Sequence, residues 1–136
     1  MKRLSLTIAS CLFLTLPIMA KVVRNYESAS DNVLTFKVDS IDYRNDLTRV
    51  YGKLIGRPHT SNRIDGVNMA GNNYSVDAND IDGVDFRRYF QWEDDGTIPI
   101  ELDFPSVTVS NGIQIVFSTA HGQSATTVKK ISDRHK

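Results

Sequence analysis

Carboxylates are the side chains of this 136-residue chain best placed to do chemistry, and nine of its sixteen lie between Asp77 and Phe104. Only Arg87 and Arg88 oppose them there, so nine acids against two bases leave the stretch at −7. Asp77, Asp80, Asp82 and Asp85 share a polar run with Asn79 and Gly83, a composition that could supply oxygen ligands to calcium. The spacing departs from the EF-hand template. With Gly83 at position 6, Asp80 and Asp82 fall at 3 and 5, but Ala78 takes position 1 and Tyr89 position 12. A looser calcium site built from the four aspartates is one reading. The other is a solvated loop whose Asn, Asp and Gly serve turn geometry; because the spacing fits no metal template, neither a metal nor another cofactor is assigned.

The second cluster is aromatic: Phe86, Tyr89, Phe90 and Trp92. On a regular strand, Phe86, Arg88, Phe90 and Trp92 share one face, and an arginine in that apolar row suggests either a bulge near Arg88 or a face only partly buried. Tyr89 with Trp92 could form a platform for sugar rings or anchor a partner, since Trp, Tyr and Arg dominate interface hot spots. Arg87, Tyr89 and Trp92 are therefore the contact candidates. Against Trp92 stands the habit of large aromatics to fill the core of a small domain.

Hydrolytic chemistry finds less support. The chain has no Gly-x-Ser-x-Gly elbow to expose a serine nucleophile. His59 lies beside Pro58, His121 beside Gly122 and His135 near the end, settings typical of surface histidines. Paired carboxylates of the glycosidase kind are abundant enough to form, but a cleft is hard to build in so short a chain. No catalytic residue is assigned.

The ends bound the compartment. Lys2 and Arg3, the apolar run Leu4 to Ile18 and Ile18-Met19-Ala20 read as a cleavable secretory signal over residues 1–20. Its roughly 15 apolar residues, broken by Pro17, fall short of the ~20 that span a bilayer. Ile8-Ala9-Ser10-Cys11 loosely resembles a lipobox, which would instead make Cys11 a lipidated first residue. Cys11 is the one cysteine, so cleavage after Ala20 leaves a chain without disulfides, held by its core alone. That mature chain has fourteen basic and sixteen acidic residues, or −2, a balance that argues against nucleic-acid binding. A periplasmic or secreted location is expected.

The elements that must position these residues are strands. Residues 21–31, rich in Ser and Asn, read as a flexible lead-in. From Leu34, Phe36 and Val38 the period is two, extending to Ile41 and Tyr43. Leu47 to Ile55 follows, its Gly52 and Gly56 marking a bulge or the close approach of other atoms. Arg63 to Met69 and Tyr74 to Ala78 form a hairpin around Ala70-Gly71-Asn72-Asn73. Phe86 to Trp92 is the next strand, Glu93 to Gly96 a turn with Gly96 at positive φ, and Ile98, Ile100, Leu102 and Phe104 the most regular alternation. Val107 and Val109 either pair with Ile113 and Ile115 through a three-residue loop or belong to a crossover between sheets. Residues 119–136 read as a C-terminal tail. About seven short strands without helical periodicity predict one all-β domain over 32–118, a two-sheet antiparallel sandwich, with a small barrel as the other architecture.

The run TRVYGKLIGRPHTSNRIDGV, then DIDGVDF, YFQWEDDG and IELDFP, resembles small immunoglobulin-like sandwich modules of secreted and envelope proteins of Bacteroidota, some of which precede a thioredoxin-like domain. The resemblance spans most of residues 32–118. Its most specific pieces are Arg57-Pro58-His59 with Arg63-Ile64, Phe90 to Gly96, and Leu102 to Pro105. It implies a fold and a compartment and brings no catalytic motif; the chain has no Cys-x-x-Cys. The expected function is an exported, non-enzymatic binding or accessory module for a protein or glycan partner. The alternatives are a calcium-dependent carbohydrate-binding module and, less supported, an envelope hydrolase of unknown class.

Overall fold

The computed structural model describes residues 21–24, 26–31 and 33–130. Among these the chain is all-β. The eleven strands are β1 (Lys21–Arg24), β2 (Tyr26–Ser30), β3 (Thr35–Tyr43), β4 (Thr48–Ile55), β5 (Ser61–Ala70), β6 (Ser75–Asp77), β7 (Asp80–Asp82), β8 (Tyr89–Gln91), β9 (Thr97–Phe104), β10 (Gly112–Thr119) and β11 (Gly122–Lys130). One sheet has the order β1-β3-β4-β9-β7; the other has β2-β11-β10-β5-β6, with β8 also pairing β5. All strand pairs are antiparallel. The expected count of about seven strands gives way to eleven, because both segments read as lead-in and tail contain strands and the acidic run contributes one of its own.

The core lies between the sheets and is built by alternation. Phe36, Val38, Ile41, Val50, Leu54, Ile100, Leu102 and Phe104 point inward from the first sheet, and Ile64, Val67, Met69, Ile113, Ile115, Phe117 and Val128 from the second. Phe36 and Phe117 meet edge to face at 5.0 Å across the interface, the offset geometry aromatic rings prefer. Gly52 faces inward too, where a Cβ would lie 2.5 Å from the Lys37 carbonyl oxygen and 2.7 Å from the Phe36 ring. That is the close approach its position in a strand suggested.

The lead-in expected over residues 21–31 contains two strands. β1 adds to the edge of β3 over Ser40 to Tyr43, and after one residue β2 pairs with β11 on the opposite sheet. The rest of β3's edge is met by serine side chains from β2: the Phe36 amide donates to Ser30 Oγ at 3.1 Å and the Val38 amide to Ser28 Oγ at 3.0 Å. Short polar side chains thus satisfy backbone groups that would otherwise lose their hydrogen bonds on burial. Asp31 fastens the end of this strap, accepting from Val33 N, Ser124 Oγ and Ala125 N at 3.0, 2.6 and 2.8 Å.

Three further expectations change. Gly122–Lys130 of the expected tail is β11, paired along its length with β10; residues 131–136, like the signal reading and Cys11 in residues 1–20, lie outside the described residues. Residues 105–111 hold no strand, so Val107 and Val109 lie on a crossover from β9 in one sheet to β10 in the other, the second of the two readings. Pro105 and the buried Ser110 frame it. The β5–β6 hairpin exists with its loop one residue later, Gly71 to Tyr74, closed by Gly71 N donating to Tyr74 O at 3.0 Å.

Candidate functional site

The path of the chain around β5 opens a notch on the outer face of the second sheet. β6 pairs with Asn68 to Ala70 of β5, and β8 with Ser61 to Arg63. Between those stretches the chain leaves for the other sheet, where β7 pairs with β9, and then returns. Ala78 N to Val67 O at 2.8 Å marks its departure, and Arg87 N to Ile64 O at 2.7 Å its return. The outer edge of β5 is therefore uncovered by a regular strand at its middle.

A β-bulge sits at the same place. Ser118 pairs with Gly66 and Thr119 with Ile64, leaving Asp65 as the extra residue of β5. Bulges disrupt the ladder locally and re-aim a side chain; here Asp65 and Gly66 both fall between the inward-facing Ile64 and Val67. Gly66 keeps the floor open, since a Cβ there would meet no atom within 4 Å. The result is a groove of about 530 Å3, floored by Gly66 and Ser118 and bordered by Asp65, Asn68, Asp77, Asn79, Phe86, Arg87 and Gln123. Its size falls within the ~300–1,000 Å3 of small-molecule sites.

The electrostatics of the groove are mixed and mostly organised in advance. Arg63 Nε and Nη2 grip the two oxygens of Asp65 at 2.7 and 3.0 Å. This pair, with a smaller contribution from Arg87, holds the Asp65 carboxyl below the usual carboxylate range, and the same bond raises the Arg63 guanidinium above its ordinary value. Arg63 Nη1 also donates to Tyr89 Oη at 3.0 Å, and its guanidinium lies 5.0 Å from the centre of the Tyr89 ring, within cation–π range. Asn68 Nδ2 donates to Asp77 Oδ1 at 2.9 Å. Arg87 makes no ion pair among the described residues.

Arg87 also carries backbone strain. Its φ of 64° is uncommon for a residue with a side chain and interrupts what a regular strand from Phe86 to Trp92 would have been. The irregularity expected near Arg88 is real and is centred one residue earlier, leaving Tyr89–Gln91 as the strand proper.

Of the three contact candidates, Arg87 lines this groove, and Tyr89, 65 % exposed, stands beside it through Arg63, which holds the groove's Asp65. Trp92 does not belong with them. It is 3 % exposed, stacks edge to face on Phe90 at 5.3 Å and packs its indole on Gly56. Trp92 is buried where Tyr89 is exposed, so it offers no open ring face beside Tyr89.

The four aspartates disperse. Asp77 lies on β6 at the notch, while Asp80 and Asp82 lie on β7 opposite Asp103 and Glu101, with Ile81 between them buried. Asp85 is exposed in the segment returning to β5. Among the described residues no three His, Cys, Asp or Glu side chains are grouped so as to hold a metal ion. Asp82, Glu101 and Asp39 instead border a separate groove of about 340 Å3 on the first sheet, with Tyr51 and Pro99. His59 pairs with Asp94 at 3.0 Å on exposed loops, and His121 lies exposed in the β10–β11 turn.

Sequence reasoning missed Arg63, Asp65, Gly66, Asn68 and Gln123. One signal was available: the inward residues Ile64 and Val67 are three apart, not two, with Asp-Gly between them, the mark of a bulge in an alternating strand. No family model, no curated protein and no solved structure matches the chain.

Proposed function

We propose that this chain is an exported, non-enzymatic binding module of immunoglobulin type that holds a protein or glycan partner against the outer face of its second sheet. The observation that carries the reading is the notch beside Gly66, where a bulge on β5 and a strained arginine from the segment returning to β8 line one groove, with the exposed Tyr89 held beside it by Arg63. Backbone strain of this kind costs on the order of 1–3 kcal/mol and tends to gather at ligand-contacting positions.

The connectivity supports the fold type. Taken in chain order, β3, β4, β5, β6, β7, β9, β10 and β11 give β3-β4-β9-β7 against β11-β10-β5-β6, which is the A-B-E-D and G-F-C-C′ arrangement of immunoglobulin-like domains. β1 and β2 add one edge strand to each sheet. Export is supported by the basic and apolar N-terminal run. No helix among the described residues is long and apolar enough to cross a membrane.

Affinity capture from cell-envelope extracts, with wild-type and Gly66→Trp chains compared, tests this reading. A partner retained by the wild type and lost from the variant is the expected result. A partner held equally by both would move the binding surface elsewhere, and turnover of a glycosidic or peptide substrate abolished by a single substitution at His59, His121 or a loop carboxylate would replace the binding module with an enzyme.

A further inference from the structure

We infer that the notch takes an uncharged saccharide, with Arg87 and Asp77 gripping neighbouring hydroxyl groups and Tyr89 offering its ring at one end. This rests on the notch being the binding surface and names what it binds.

Charge balance points to the ligand class. Arg63 already neutralises Asp65 with both oxygens engaged, which leaves Arg87 and Asp77 as the remaining charged groups of the groove. A ligand with one net charge would be drawn to one of them and repelled by the other. A chain of hydroxyls, each both donor and acceptor, answers both. Asn68 uses one amide hydrogen on Asp77 Oδ1, and among the described residues the second oxygen of this groove-lining aspartate accepts no side-chain hydrogen bond. Gln123 adds an amide at the far side, on the row Gln123–Ser118–Gly66.

The geometry is suited to a ring as well as to hydroxyls. A flat strand surface interrupted by a glycine floor lets a ring lie close to the backbone, and Phe86 supplies an apolar wall. Tyr89 is the one aromatic among the exposed large apolar residues of the described chain. Arg63 fixes it from below and at its hydroxyl, so little side-chain freedom would be lost on stacking.

Titration calorimetry with cellohexaose, xylohexaose, mannohexaose and oligogalacturonate tests the inference on the full chain and on Arg87→Gly, Tyr89→Ala and Asp82→Asn. Arg87→Gly is the decisive variant, because glycine adopts a φ of 64° without penalty, so any lost binding is not lost folding. The expected result is binding of at least one neutral oligosaccharide, weakened about tenfold or more by Arg87→Gly and Tyr89→Ala and unchanged by Asp82→Asn on the other sheet. Binding of oligogalacturonate alone, or neutral binding indifferent to Arg87, overturns it. If no sugar binds while Gly66→Trp still abolishes capture of an envelope partner, the saccharide falls and the binding surface stands. If both measurements fail, both readings fall.

Discussion

Each sheet carries a β-bulge that turns an aspartate outward, Asp39 on β3 and Asp65 on β5, and each bulge borders a groove. The two grooves nevertheless differ in kind. On the first sheet Asp39 joins Asp82 and Glu101 in a setting of one sign beside Tyr51. On the second, Asp65 is gripped by Arg63 and stands among Arg87, Asp77 and amide side chains. The first gathers two acids of the 77–104 stretch, Asp82 and Glu101, beside Asp39, while the other acids of that stretch lie elsewhere. The second draws on β5, β6, the return to β8 and the β10–β11 hairpin, and supplies donors and acceptors together. Concentration of charge along the chain and assembly of a groove of mixed polarity are separate events, and the second sheet's groove takes only Asp77 from the acidic stretch.

The sharpest test sets a buried aromatic against an exposed one three residues away, Trp92 against Tyr89. Trp92→Ala should cost about 3–5 kcal/mol by removing a buried ring, read as a drop in the denaturation midpoint. Tyr89→Ala should stay within ~0.5 kcal/mol, as an exposed change does. Equal losses would mean that Tyr89 belongs to the core. The two outward and inward glycines give the next test. Gly52→Val should destabilise by about 1–3 kcal/mol through overpacking against Lys37 and Phe36, whereas Gly66→Trp should leave thermal stability nearly unchanged while filling the groove.

On the first sheet, Arg49 holds both oxygens of Asp103 at 2.6 and 3.0 Å with both side chains partly exposed. Solvent screens such pairs, so Arg49→Ala should cost no more than ~1 kcal/mol and less in high salt. The smallest effect concerns acid. Hydrogen bonds from Ser124, Ala125 and Val33 hold Asp31 below its ordinary value, and Arg63 does the same for Asp65. A depressed carboxylate adds stability above its unfolded pKa of about 4 and loses it as pH falls through the lower folded value. Asp31→Asn and Asp65→Asn should therefore flatten the fall in stability below about pH 4, and a wild-type slope in both variants would assign the acid sensitivity to other groups.

The alternating strands were legible because burial on one face imposes a period of two: Phe36 and Val38, or Ile98 to Phe104, announce their sheet without any knowledge of partners. The crossover at 105–111 was less so, since Val107 and Val109 alternate as a strand would, and only the demand that β10 lie beside β5 and β11 sends them between the sheets. Residues 21–31 were misread for a related reason. Their serines look like linker residues by composition, yet Ser28 and Ser30 act as substitutes for a missing neighbouring strand, which becomes visible only when β3's edge is in place. At the site, Arg87 and Tyr89 stood out as polar or aromatic residues in a strand-like run. Arg63, Asp65 and Gln123 did not, because their meaning depends on register across strands.

The strap formed by β1 and β2 sets the order in which the molecule can be finished. Ser30 Oγ meets Thr126 Oγ1 at 2.8 Å across 96 residues of chain, and Asp31 bonds Ser124 and Ala125 across a similar span. Contacts that close so long a loop are slow to form, because the entropy of bringing the ends together is lost before the contact returns anything. β1 and β2, the earliest strands among the described residues, are thus among the last to dock. Until β11 arrives, the serines of β2 have no strand to lie on, and the amides of Phe36 and Val38 remain open at the edge of β3. A folding chain would pass through a stage in which that edge is available to other chains, and dilution or a chaperone that shields extended segments would govern its yield.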